Sequence, residues 1–162
     1  MIPVAESDLD AVGRQLGRPA RDVVAVAARC ACGAPTVVTT RPRLADGTPF
    51  PTFYYLTHPA ATAAASRLEA TGRMVEYQAT LVGDTADAYR AAHERYLADR
   101  DAYGVVDEIA GISAGGMPDR VKCLHALLAH ALAAGPGVNP IGDAVLADCG
   151  WTPAVCECEV GP

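Results

Sequence analysis

The stretch from Asp22 to Thr40, DVVAVAARCACGAPTVVTT, decides the fold class. Two Val- and Thr-rich runs, Val23 to Ala28 and Thr36 to Thr40, flank a Cys-Ala-Cys-Gly tip, and β-branched side chains suit a pleated, half-buried surface. The pattern predicts a hairpin that carries Cys30 and Cys32 at its turn. Gly33 gives the turn the backbone freedom to aim amides at thiolate sulfur, as ligand-bearing knuckles require. Beyond it, Pro42, Pro49, Pro51 and the Asp46-Gly47 turn signal precede Thr52 to Leu56 (TFYYL), which reads as a third strand. The aromatic run Phe53-Tyr54-Tyr55 reads as strand packing rather than a base-stacking platform.

Upstream of the hairpin, Glu6 to Gly17 reads as a short helix. Ser7 can cap it, Leu9, Val12 and Leu16 share a face, Gly17 and Pro19 end it, and it should pack as a lid. Downstream, Ala60 to Thr71 is an Ala-rich helix stopped by Gly72, and Thr85 to Tyr103 carries Tyr89, His93, Tyr96 and Arg100 at helical spacing. A break at Ser113-Ala114-Gly115-Gly116-Met117-Pro118 leads into a helix from Asp119 to Ala134, with Pro118 at its first turn and Val121, Leu124, Leu127, Leu128 and Leu132 inside. Gly135-Pro136-Gly137 ends it, and Asn139-Pro140 opens a short last helix to Ala147. The sum is an α+β fold in which a small antiparallel sheet in the N-terminal third packs against three to four helices. We expect one domain over residues 1–162, with an irregular C-terminal tail over 148–162.

Composition narrows the classes. With 51% hydrophobic and 20% charged residues, a chain of 162 residues can close one ordinary core without staples. Its longest apolar runs, Val23 to Ala28 and Ala126 to Ala134, fall well short of the roughly 20 residues that span a bilayer, so no membrane insertion is expected. The N-terminus reaches Glu6, Asp8 and Asp10 without a basic start or apolar run, which is unlike a secretory signal and points to the cytoplasm. A net charge of -6 argues against broad nucleic-acid binding. Six cysteines in a reducing compartment read as ligands or buried thiols rather than disulfides.

Three longer stretches, RCACGAPTVVTTRPRLADGTPFPTFYYLTHP (Arg29 to Pro59), AHERYLADRD (Ala92 to Asp101) and SAGGMPDRVKCLHALLAHALAAGPGVNPIGD (Ser113 to Asp143), together resemble the actinobacterial domain-of-unknown-function family 501. The resemblance covers Leu16 to Ile141 and brings no established activity. It implies that relatives often carry Cys where this chain has His58, and often end with a Trp and a Cys spaced like Trp151 and Cys156. A Cys-for-His exchange is what a metal ligand tolerates. The resemblance also implies a gene neighbourhood beside enolase and a division-septum protein. That admits a non-catalytic interaction module of the envelope and division machinery, with no protein partner named.

The candidate metal set is Cys30, Cys32, His58 and Cys123, drawn from the hairpin tip, the end of the third strand and the long helix, with zinc as the ion. Cys156 is the main reserve, followed by His125 and His130. On a helix, Cys123 and His125 would lie on nearly opposite faces, whereas Cys123 and His130 would share one. An iron-sulfur cluster is the alternative, favoured by the relatives' Cys and weakened by His58. Cys30 and Cys123 can also be read as buried thiols without a metal, and Cys149 and Cys158 carry no assigned role.

A second candidate is an anion site in which Gly115 and Gly116 free backbone amides at a helix start while Arg120, Lys122 and Arg43 supply charge. It would take a small anionic or phosphorylated ligand, and it competes with a plain tight turn and solvated cations. No GxxxxGK[ST] loop is present. Catalytic candidates are His125, Asp143 and His93, the last beside Glu94. Cys123 with a histidine could serve as nucleophile and base, though no family-specific cysteine-hydrolase signature surrounds it. No reaction is legible in the sequence.

Overall fold

The expected hairpin forms the middle of a four-stranded sheet in the computed structural model, which describes residues 2–158. Strand β2 (Val23–Arg29) pairs antiparallel with β3 (Pro35–Thr40), Val26 opposite Val38. A short β1 (Ile2–Pro3) lies outside β2, and β4 (Tyr54–Leu56) lies outside β3, giving the order β1-β2-β3-β4 with every pairing antiparallel. Two residues are too few to show alternation, so β1 left no signal in the sequence. The expected tail is described only as far as Cys158, and residues 159–162 lie outside the described residues.

Every residue of β3 is buried because both faces of the sheet are covered. Val37, Tyr54 and Leu56 face the main core, whereas Val38 and Tyr55 border Val12 and Leu16 of α1 (Glu6–Leu16), the expected lid. The core side is filled by α5 (Leu124–Ala134), whose sequence LHALLAHALAA is apolar almost all round and which is accordingly buried. It packs on β4, on α2 (Pro59–Ala70) through fully buried Ala61, Ala64 and Ala65, and on α6 (Pro140–Asp148). A short α3 (Arg73–Ala79), absent from the sequence reading, is held by Tyr77 and Arg73, which both donate to the Asp148 carboxylate. Helix α4 (Gly83–Asp101) is fastened to the sheet by its tyrosine stripe: the Tyr96 hydroxyl oxygen accepts the Phe53 amide at 2.6 Å, and Tyr54 donates to Asp99 at 2.8 Å. Arg100, fully buried, donates to the carbonyls of Ile109 and Ile112. Among the described residues no helix is long and apolar enough to cross a membrane.

The long helix expected from Asp119 begins only at Leu124. The amides of Arg120 and Lys122 are taken by the carbonyls of Gly116 and Gly115, and the Val121 amide by Gln78, so residues 113–123 fold into a loop that contains Pro118. Glu69 on α2 then accepts the first helical amide, that of Leu124, at 2.8 Å.

His130 shows how tightly this core is built. It is fully buried, stacked on Tyr54 at 5.5 Å and edge-on to Tyr96 at 5.2 Å. Asn139 accepts the Gly142 amide with its oxygen and turns its amino group to His130 Nδ1 at 3.1 Å, which places the imidazole proton on Nε2. Burial pushes the His130 pKa down to about 4 from an ordinary 6.5. As pH falls, the unfolded chain takes up this proton first, so stability is lost from about 6.5 down to about 4, on the order of 3 kcal/mol. Urea midpoints should therefore drop between about pH 7 and pH 4.5, and drop less in His130→Gln; equal drops would refute this assignment.

Candidate metal centre

The β2–β3 turn is closed by two backbone bonds of 2.8 Å each, from the Cys30 amide to Ala34 O and from the Gly33 amide to Cys30 O. Gly33 takes a φ of 89°, in the left-handed region that glycine enters without strain. The far end of the chain is brought to this tip. After α6 ends, Trp151 buries its ring 5.3 Å from that of His58, and Pro153 O accepts the Ala31 amide at 2.8 Å. Cys156 and Cys158 thereby return onto Cys30 and Cys32, and the four sulfurs lie within 4.8 Å of one another. Cys32 Sγ lies 3.4 Å from Cys158 Sγ. Cys30 is buried and Cys32 and Cys156 are exposed. Four thiols so placed could hold a metal ion.

The neighbouring thiols shift one another's protonation. The Ala34 amide, followed by the neighbouring thiols, draws the Cys32 pKa down to about 7. Burial, and then the same neighbours, push the Cys158 thiol up, because several sulfur anions at this distance repel one another. His58 flanks the cluster, with Nε2 3.1 Å from Cys158 Sγ. Burial lowers its pKa, and Nδ1 has no partner among the described residues.

Of the four ligands expected from the sequence, Cys30 and Cys32 come together, His58 stands at their edge, and Cys123 is elsewhere. Their partners are the reserve Cys156 and Cys158, which had no assigned role. The legible signal was a repeated spacing, Cys30-Ala31-Cys32 near one end of the chain and Cys156-Glu157-Cys158 near the other. Cys123 departs because it is the residue before α5, extended at φ -145° and ψ 108°, and not a member of the helix. The helical-face argument therefore does not apply to it. Cys123 sits beside His125 rather than opposite it, and His130 is in the core.

Cys123, His125 and Glu69 make a second cluster, with one donor atom from each within 4.8 Å of the others. His125 Nδ1 is 3.1 Å from Glu69 Oε1, and Nε2 is 3.1 Å from Ser66 Oγ. Contact with His125 lowers the Cys123 pKa against the effect of burial, and the same contact, against burial and helped by Glu69, raises His125 to about 9. Cys123 and His125 line a cavity of about 820 Å³ shared with Leu16, Tyr54, Ser113 and Gly115. The Ser113 hydroxyl is paired with His93 Nδ1 at 2.8 Å, and burial lowers the His93 pKa.

The anion set does not gather. Arg43 is paired with Glu108 at 2.7 Å and borders a different depression, with Tyr103 and Gly104. Arg120 and Lys122 are exposed and do not line the cavity that Gly115 borders, and Gly116 serves the turn by accepting the Arg120 amide. Asp143 accepts the Gly137 amide at 2.8 Å and holds the loop before α6.

No curated protein and no solved structure matches the chain. A family model described as a protein of unknown function does match, over residues 26–147, which takes in most of the hairpin, the cavity lining apart from Gln15 and Leu16, and α6 up to Ala147. The chain thus belongs to the DUF501 family.

Proposed function

We propose that this protein is a zinc-binding protein of the cytoplasm, in which one ion held by Cys30, Cys32, Cys156 and Cys158 clasps the end of the chain to the sheet. The observation that carries the reading is the mutual proximity of the four sulfurs, all within 4.8 Å. Four sulfurs bound to one zinc at about 2.3 Å sit roughly 3.8 Å apart. The thiolates of an iron-sulfur cluster attach to different irons and spread wider, so the close spacing favours a single ion. Zinc suits an all-thiolate tetrahedron and needs no redox partner. A fully occupied tetrahedron leaves no position for substrate, so the ion's work is structural: its binding free energy becomes folding free energy. With the metal bound, a His58 Nε2–H at 3.1 Å from Cys158 Sγ would donate to the thiolate and stabilise the charge of the site.

Elemental analysis and an absorption spectrum of protein purified without oxygen test this reading. Zinc at one or more ions per chain with no visible bands is the expected result. Iron with visible bands, or no metal at all, would overturn it.

A further inference from the structure

We propose a second metal site, open to a ligand, formed by Cys123, His125 and Glu69 at the wall of the large cavity. Thiolate, imidazole and carboxylate are three zinc-type ligands, and three protein ligands with the fourth position free is the composition of an exchangeable rather than a closed site. The first observation is convergence: one donor atom of each residue lies within 4.8 Å of the other two. A nucleophile-histidine-carboxylate relay has a different shape. There the imidazole stands between the other two groups, one on each ring nitrogen, which sets them roughly 7 Å apart. Here Glu69 Oε1 reaches His125 Nδ1 at 3.1 Å, yet the carboxylate also stays close to the sulfur, so the three donors face a common point.

The second observation is the space in front of the donors. Cys123 and His125 line a cavity of about 820 Å³, large enough for a small molecule and walled mainly by apolar and aromatic side chains such as Leu16, Tyr54 and Tyr55. The donors themselves are only half-buried, so an ion and its fourth ligand can enter from that side. The third is the support around the ligands. The Leu124 amide holds Glu69 Oε1 at 2.8 Å, and Ser66 Oγ holds His125 Nε2 at 3.1 Å, which leaves Nδ1 for the ion. Outer partners of this kind fix ring orientation and tune a metal site. The occupant is a divalent ion of zinc type, and its exchangeable ligand is a small anion or the oxygen donor of a molecule whose apolar part fills the cavity.

Cobalt(II) titration of the metal-stripped full chain without oxygen, followed by addition of sodium azide, tests the proposal. Wild type should bind two ions. Cys123→Ser should bind one. Cys156→Ser/Cys158→Ser should retain one ion whose visible bands shift with azide, since a closed four-thiolate site has no position for the anion. Glu69→Gln keeps an oxygen for the Leu124 amide, so it preserves the fold if Cys123→Ser does not, and it should also lose one ion. Full binding by Cys123→Ser or Glu69→Gln, or a retained ion that ignores azide, would overturn the proposal. Failure of the four-cysteine reading alone looks different: Cys156→Ser/Cys158→Ser would then match wild type, while Cys123→Ser would still lose its ion.

Discussion

Changing both Cys156 and Cys158 to serine is expected to release the metal of the four-cysteine site and to destabilise the protein by about 5 kcal/mol, the order expected for opening a cross-link that closes a loop of more than about 100 residues. The two cysteines lie in a segment outside regular structure, which is also fastened by the Trp151 ring against His58 and the bond from the Ala31 amide to Pro153, while Cys158 itself touches His58 Nε2. Removing the thiolates therefore costs little packing, and the loss reports the ion. Urea unfolding with zinc present should show the variant's midpoint well below that of wild type. A chelator should lower wild type by far more than the variant, which has only the ion of Cys123, His125 and Glu69 left to lose. A variant as stable as wild type would show that the metal is not a clasp.

Gly142→Ala should lower stability by about 3 kcal/mol although the position is helical, where alanine by itself favours the helix by roughly 0.5–1 kcal/mol. A Cβ at Gly142 would come within 2.2 Å of the Leu127 carbonyl oxygen and 2.7 Å of Ala131 Cβ. The first of these is backbone of α5 and cannot swing aside, so α5 and α6 must separate. Because α5 carries His125 in its first turn, the separation also moves the wall of the cavity. Thermal unfolding followed by circular dichroism measures the effect; an unchanged or raised midpoint would mean that α6 packs more loosely than this.

The parts of this molecule that were legible in the sequence are those governed by local pattern. The β-branched Val- and Thr-rich runs around Cys30-Ala31-Cys32-Gly33 gave the hairpin, because such side chains suit a pleated surface, and the tyrosine spacing from Tyr89 to Tyr96 gave α4, because a helix imposes a period of about 3.6 residues on burial. What was not legible depends on contacts distant in sequence. The start of α5 was misplaced because Gly115, Gly116 and Gln78 capture amides that helical spacing alone would assign to the helix, and that error put Cys123 on the wrong face. Cys158 was passed over although its spacing from Cys156 repeats that of Cys30 and Cys32, because nothing local shows where the tail goes. It reaches the hairpin through Trp151 and Pro153, contacts that no local pattern encodes. Glu69 was missed for the same reason, as its partners Leu124 and His125 lie on another helix.

The central claim is that four cysteines from the two ends of the chain hold one ion. Zinc K-edge X-ray absorption of the Cys123→Ser protein, which leaves those four cysteines intact, tests it most directly. A single shell of four sulfurs at about 2.3 Å is the predicted result. A shell dominated by nitrogen or oxygen at about 2.0–2.1 Å, or protein that carries no zinc, would contradict the account.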